Sequence, residues 1–269
     1  MKINGAQKHS VYFIVCMIVF WIILAVTHTA SGMAGYAFSF AMGLLPFLGG
    51  LFALLYENKS SERKGFIDKG IFFAGLGLFL WGCGEVIWSY YNFVQGVAAP
   101  YPSFADLGFA PSVFFYCIGA VYLARAAGAD VGLERKYAKL FILIASIAMF
   151  AVSYYVLVVV VRQGVLVHSG DPVLKSIFDL AYPVGDFVSL TAAVVLSGLS
   201  FRYIAKEYHL AIVSVLAGLA MMFIADSVFS YTTSIGTYFN GDFGDLIFTL
   251  ALFLLSFGVF GFLPKKDIV

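Results

Sequence analysis

The chain has 269 residues, of which 62% are hydrophobic and 12% charged, with a net charge of +1 and a mean hydropathy of +0.95. A soluble domain of this size carries about 25% charged residues, so a mostly water-facing fold is excluded, and with it a soluble globular enzyme. Eight spans of about 20 residues would take up about 160 positions, which leaves short loops, and no fused catalytic or output domain is expected.

Apolar runs of spanning length define the predicted elements. Span 1 covers residues 11–29. Lys2 and Lys8 precede it as they would in a secretory signal, but the run is long enough to cross a bilayer and reads as a retained first helix. A tight Ser31-Gly32 turn leads into span 2, residues 33–56. Span 3 follows at 70–93, where Gly75, Gly77, Gly82 and Gly84 would let neighbouring helices approach closely. Spans 4 to 8 are expected at 105–127, 137–161, 175–200, 208–233 and 243–263. The expected fold is therefore an all-α membrane protein of about eight transmembrane helices, forming a single integral membrane domain over 1–269.

Basic residues orient this bundle. Lys2, Lys8, Lys59, Arg63, Lys64, Lys69, Arg125, Arg135, Lys136, Lys139, Arg202, Lys206, Lys265 and Lys266 fall on one side, fourteen of the sixteen in the chain. Arg162 and Lys175 fall on the other. Lys and Arg in short loops mark the cytoplasmic side, so both termini are expected in the cytoplasm. The acids divide differently: Glu57, Glu62, Asp68, Asp130, Glu134, Glu207 and Asp267 mingle with the bases. Glu85, Asp106, Asp171, Asp179, Asp186, Asp226, Asp242 and Asp245 lie on or near the opposite, outer side.

Two signatures recur. Glu85-Val-Ile-Trp88-Ser89-Tyr90 in span 3 aligns without gaps on Asp226-Ser-Val-Phe229-Ser230-Tyr231 in span 7, and Ser153-Tyr154 in span 5 is a weaker copy. The following span opens each time on Asp-Leu-x-aromatic: Asp106 to Phe109, Asp179 to Tyr182, and Asp245 to Phe248. Residues 70–127, 137–200 and 208–263 thus read as three parallel hairpin repeats, with an N-terminal hairpin at 11–56. Inverted repeats would have pointed to alternating-access transport.

Glu85 and Asp226 are the sharpest candidates. A carboxylate inside an apolar span costs a few kcal/mol unless it is paired or hydrated, so each should face the bundle interior. Such a group can bind a cation, a proton or a ligand amine, or it can hydrogen-bond a neighbouring helix for packing. Asp106, Asp179 and Asp245 sit at helix starts, where aspartate caps exposed N–H groups and suits the helix dipole. Asp186 lies two turns into span 6, after Tyr182-Pro183, where the proline disturbs the preceding turn. Asp171 and Asp242 read as solvated loop acids. Trp88, Tyr90, Tyr91, Tyr101, Tyr182, Tyr231 and Tyr238 cluster at the same level. They form either an interfacial belt or an aromatic lining suited to an organic cation.

Other chemistries are argued down. Cys16, Cys83 and Cys117 lie in apolar runs without a CxxC and read as small buried residues. His9, His28, His168 and His209 share no helix face, so a zinc hydrolase site is not expected. No GxSxG is present. Pro183-Val-Gly185-Asp186 lacks the first glycine of a GxGD pattern. No lysine lies mid-span for a Schiff base, and no basic, aromatic-laced patch suggests nucleic acid. Cofactor and metal are left unassigned.

Pro102-Ser103-Phe104-Ala105-Asp106 resembles the PSxAD element, and Asp179-Leu-Ala-Tyr182-Pro183-Val-Gly185-Asp186 the DxxYPxGD element, of multi-span N-terminal membrane regions in prokaryotic signalling proteins. In those proteins, similar modules precede diguanylate cyclase (GGDEF), EAL phosphodiesterase or histidine kinase domains. The resemblance covers roughly spans 3–8 and implies a sensory module in the cytoplasmic membrane, here without an output domain and signalling through a separate cytoplasmic or membrane partner. The expected function is a non-enzymatic, stand-alone sensor that binds a small ligand or cation through Glu85, Trp88, Tyr90, Asp106, Asp179, Tyr182, Asp186, Asp226, Tyr231 and Asp245. A cation or small-molecule transporter or channel is the first alternative, and a structural or assembly subunit the second.

Overall fold

The computed structural model describes residues 3–57, 65–126, 128–165, 172–200, 202, 204, 206 and 208–263. Lys2, Lys59, Glu62, Arg63, Lys64, His168, Asp171, Glu207, Lys265, Lys266 and Asp267 lie outside the described residues. Among the described residues every regular element is helical. The order is α1 (Gly5–Thr27), α2 (Met33–Glu57), α3 (Phe66–Tyr90), α4 (Asp106–Ala126), α5 (Ala129–Leu133), α6 (Ala138–Ser153), α7 (Val173–Ser200), α8 (His209–Ser234) and α9 (Phe243–Phe260). Two π-helical stretches, Tyr91–Gln95 and Tyr154–Val161, continue α3 and α6. All but α5 are long and apolar enough to cross a membrane, which makes eight candidate spans among the described residues. The short α5 was not anticipated; it sits in the connection between spans 4 and 5.

The centre is built from α3, α4, α8 and α9. Helix α3 packs along α4 and α8 along α9, and the two pairs meet through α3 against α9 and α4 against α8. Helix α2 fills the groove between α3 and α9, and α7 fills the one between α4 and α8. Helix α1 leans on α9 and α2, and α6 reaches α7. Two three-helix junctions result, α2/α3/α9 and α4/α7/α8, on opposite sides of the central four helices.

Glycine spacing explains why α3 can hold two partners at once. Gly75 and Gly82 face α2, against Ala53 and Phe47, while Gly77 and Gly84 face α4, against Tyr116 and Phe109. Each pair is seven residues apart, two helical turns, so each lines one face. On the α4 side the two backbones are close at Gly108, where an added Cβ would meet the Leu80 carbonyl and the Gly84 backbone nitrogen.

The two ends of the bundle differ. At one end the start of α1 docks on the end of α9. Asn4 Nδ2 donates to the Phe260 carbonyl (2.6 Å) and Gln7 Nε2 to that of Phe257 (3.2 Å). Asn4 and Gln7 also form a reciprocal capping box. At the other end, Trp21 Nε1 donates to the Asp242 carbonyl (3.1 Å), which ties α1 to the α8–α9 loop. Of the outer acids, Glu85, Asp106, Asp179, Asp186, Asp226, Asp242 and Asp245 are among the described residues and lie toward this second end. Of the cysteines, Cys117 is buried as expected, Cys83 is partly covered, and Cys16 lies exposed on the surface of the bundle.

Candidate functional site

The first junction brings α2, α3 and α9 around Glu85, which is 3% exposed. Ser39 Oγ on α2 donates to Glu85 Oε1 at 2.7 Å. The side chain lies over Gly43 of α2, where any Cβ would collide with it. Ser89, one turn further along α3, turns its hydroxyl toward the same carboxyl without completing a hydrogen bond within 3.5 Å. Asp245 at the start of α9 is close enough to Glu85 for their charges to interact. It accepts the Gly241 N–H at 2.7 Å and the Tyr238 hydroxyl at 3.3 Å. Burial, and then the neighbouring Asp245, Glu85 and Asp242, hold the Tyr238 hydroxyl well above its ordinary range, so this loop residue stays a donor. Trp88 closes the side, with Nε1 donating to Asn240 Oδ1 at 2.8 Å.

The second junction is richer in acids. Asp106 at the start of α4 accepts the Ser103 N–H (2.6 Å) on one carboxylate oxygen and the Tyr182 hydroxyl (2.6 Å) on the other. Asp179 on α7 accepts from Tyr101 Oη (3.0 Å) and Lys175 Nζ (2.9 Å), and pairs with Arg162 Nη1 at 3.4 Å. Burial, then the charge of Asp179, push the Tyr101 hydroxyl up, so it too stays a donor. Deeper in, Asp186 of α7 and Asp226 of α8 bring their carboxyls within hydrogen-bonding reach of each other. Helix α4 supplies the third wall, with Cys117 beside Asp186 and Tyr116 facing Asp226.

The candidate residues therefore fall into two groups rather than one. Glu85, Trp88 and Asp245 belong to α2/α3/α9; Asp106, Asp179, Tyr182, Asp186 and Asp226 belong to α4/α7/α8. An aromatic wall separates them: Phe229 lies 6.2 Å from Trp88 and 4.8 Å from Tyr238, centroid to centroid. Tyr90 and Tyr231, at 50% and 45% exposed, lie on the outer surface of the bundle apart from both groups. The aromatic set thus splits into an outward belt and an inward lining of Trp88, Tyr182 and Tyr238.

The acids also separate by partner. Asp106 and Asp245 lie in the first turns of α4 and α9 and reach back to the Ser103 and Gly241 N–H groups instead of capping the helix's own, and each also holds a tyrosine; Asp179 lies two turns into α7 and not at its start. Asp179 is ion-paired. Asp242 is a correction: read as a solvated loop acid, it is 8% exposed and is the N-cap of α9, with Oδ1 accepting the Asp245 N–H at 3.1 Å. That leaves Glu85, Asp186 and Asp226. Among the described residues none of these three has a Lys, Arg or His within ion-pair distance. Nor do three carboxylate, histidine or cysteine side chains among the described residues converge to hold a metal ion.

Several partners escaped sequence reading. Ser39 lies on span 2, which carries no acid; the signal was Ser39 and Gly43 one turn apart on a single face. Arg162 and Lys175 stood out only as the two outer bases, although Lys175 lies four residues before Asp179. Nothing in the sequence marked Asn240 or Tyr116. No family model, curated protein or solved structure matches the chain, so its function is read from these two junctions.

Proposed function

We propose that the chain is a non-enzymatic, sensor-like membrane protein that binds a small ligand or cation in the acidic, aromatic-lined half of its bundle. One observation carries this reading: Glu85, Asp186 and Asp226 are enclosed by apolar helices with no basic partner in ion-pair range among the described residues, while the other acids nearby are spent on caps and ion pairs. Keeping a carboxyl in such a place costs free energy, and a bound cationic group offsets that cost. The inward ring faces of Trp88 and Tyr182 suit the same class of ligand. Leu78, Leu123, Leu219, Leu252 and Leu255 fill the opposite half of the central helices, which favours binding over conduction. The resemblance of residues 102–106 and 179–186 to membrane sensory modules supports a place in the cytoplasmic membrane and a signalling partner, and the fourteen-to-two division of basic residues supports both termini in the cytoplasm.

The test is the melting temperature of the purified protein in detergent, scanned against Na⁺, K⁺, Mg²⁺, Ca²⁺ and choline chlorides. At least one is expected to raise it. Because the junctions are separate, Glu85→Gln and Asp226→Asn should each remove only the part of the shift that belongs to its own side. If none of these ions moves wild type, and the double variant is simply more stable, the binding role is lost and a packing role takes its place.

A further inference from the structure

We propose that the Asp186–Asp226 pair is a proton-binding site, holding one proton between two carboxyls at the α7–α8 contact and releasing it toward the acidic end of the bundle. This deepens the binding role by naming the ligand of the α4/α7/α8 junction. An ionised carboxylate only accepts hydrogen bonds, so two carboxyls within hydrogen-bonding reach are held together when one of them carries the proton. Without it, two negative charges face each other away from water.

The surroundings fit this ligand. From α4, Tyr116 faces Asp226, Cys117 lies beside Asp186, and Asp106 is held off by the Tyr182 hydroxyl. From α7 come Tyr182 and Asp179, and from the end of the α6 segment comes Arg162, which pairs with Asp179 and acts on Asp186 only at longer range. Tyr116 is the independent sign that the site is built to take something. The residue is 1% exposed and its hydroxyl has no hydrogen-bond partner within 3.5 Å among the described residues. Asp226 is close enough for its charge to act on that hydroxyl. A metal ion fits poorly, since three ligating side chains do not converge here among the described residues.

The exit is one-sided. Toward the centre of the bundle, Ser189 Oγ bonds the Leu219 carbonyl at 3.0 Å, and Leu219 and Met222 are fully buried. Toward the acidic end, among the described residues, lie the Tyr182–Asp106 and Tyr101–Asp179 hydrogen bonds and the Arg162 and Lys175 ion pairs of Asp179. The pair therefore follows the pH on that side alone, and loss of the proton leaves like charges across the α7–α8 contact.

Infrared difference spectroscopy across a pH titration tests this, on protein labelled with ¹³C at the aspartate carboxyls so that Glu85 is distinguished. Above about pH 6, where ordinary aspartates are already ionised, wild type should lose a protonated-aspartate band as pH rises, and Asp186→Asn and Asp226→Asn should each abolish the same component of it. A second readout needs neither variant. Cysteines placed at Val194 and Val213, which line one groove between α7 and α8, should cross-link less as pH rises through the same titration. No protonated aspartate above about pH 6 in wild type, or a band unchanged in both Asn variants, overturns the proposal. The two readings fail separately: a titrating band without any cation-induced melting shift sinks only the cation reading, and the reverse sinks only this one.

Discussion

Tyr182 donates to Asp106 across 76 positions of sequence at 2.6 Å, and both lie in a wall of apolar helices. A hydrogen bond to a charged partner contributes about 1.5–3 kcal/mol, and a buried acceptor left unsatisfied costs a similar amount. Tyr182→Phe should therefore lower unfolding free energy in detergent by about 1–3 kcal/mol, while Tyr231→Phe, at the exposed belt, should change it by less than about 0.5 kcal/mol. Equal losses in the two variants would show that the inward and outward tyrosines do not differ in role. The sequence made the acids legible, because a carboxyl stands out in an apolar span. It left their donors hidden, because Tyr101 and Tyr182 look the same as any interfacial aromatic until the helices are assembled. Asp242 was misjudged for a related reason: an acid in a short loop reads as solvated, and only the packing of α1 and Gly35 against that loop encloses it.

Elements were legible where periodicity and length did the work. All eight spans were expected within a few residues of where they lie, since a run of about 20 apolar residues has few alternatives to a spanning helix. Helix α5 is too short for any periodic pattern to register. The π-helical stretches at Tyr91–Gln95 and Tyr154–Val161 are local accommodations that side-chain pattern does not encode. The glycines of span 3 were read correctly as contact points, but which face each serves came only from the assembled bundle. That assignment predicts opposite outcomes for two similar changes. Gly108→Ala puts a methyl group into the backbone of α3 and should destabilise by about 1–3 kcal/mol through overpacking. Gly185→Ala meets only Val113 at 3.5 Å, an ordinary contact, and should be neutral or stabilising by up to about 1 kcal/mol through helix propensity. Thermal unfolding of both proteins in one detergent checks this, and a neutral Gly108→Ala would mean that α3 and α4 are not in contact at that level.

At the scale of the whole molecule, the two junctions exchange residues between hairpins. Asp245 of α9 is close enough to Glu85 of α3 for their charges to interact, and Tyr182 donates to Asp106 of α4 within range of the charge of Asp226 on α8. Each junction thus takes one acid from the α3–α4 hairpin and one from α8–α9, a division that no linear alignment of the signatures displays. Both junctions open toward the same end, the one opposite the docked start of α1 and end of α9. From the fourteen-to-two division of basic residues we propose that the α1 start and α9 end face the cytoplasm, and this can be tested without any ligand. In a chain with Cys16, Cys83 and Cys117 replaced by alanine, a single cysteine at Val97 lies exposed in the α3–α4 connection at the acidic end. A single cysteine at Lys136 lies exposed in the α5–α6 connection at the other. A membrane-impermeant maleimide added to intact cells should label the first and should reach the second only after permeabilisation. The reverse pattern would place the acidic end inside, and both junctions would then sample the cytoplasm rather than the outside.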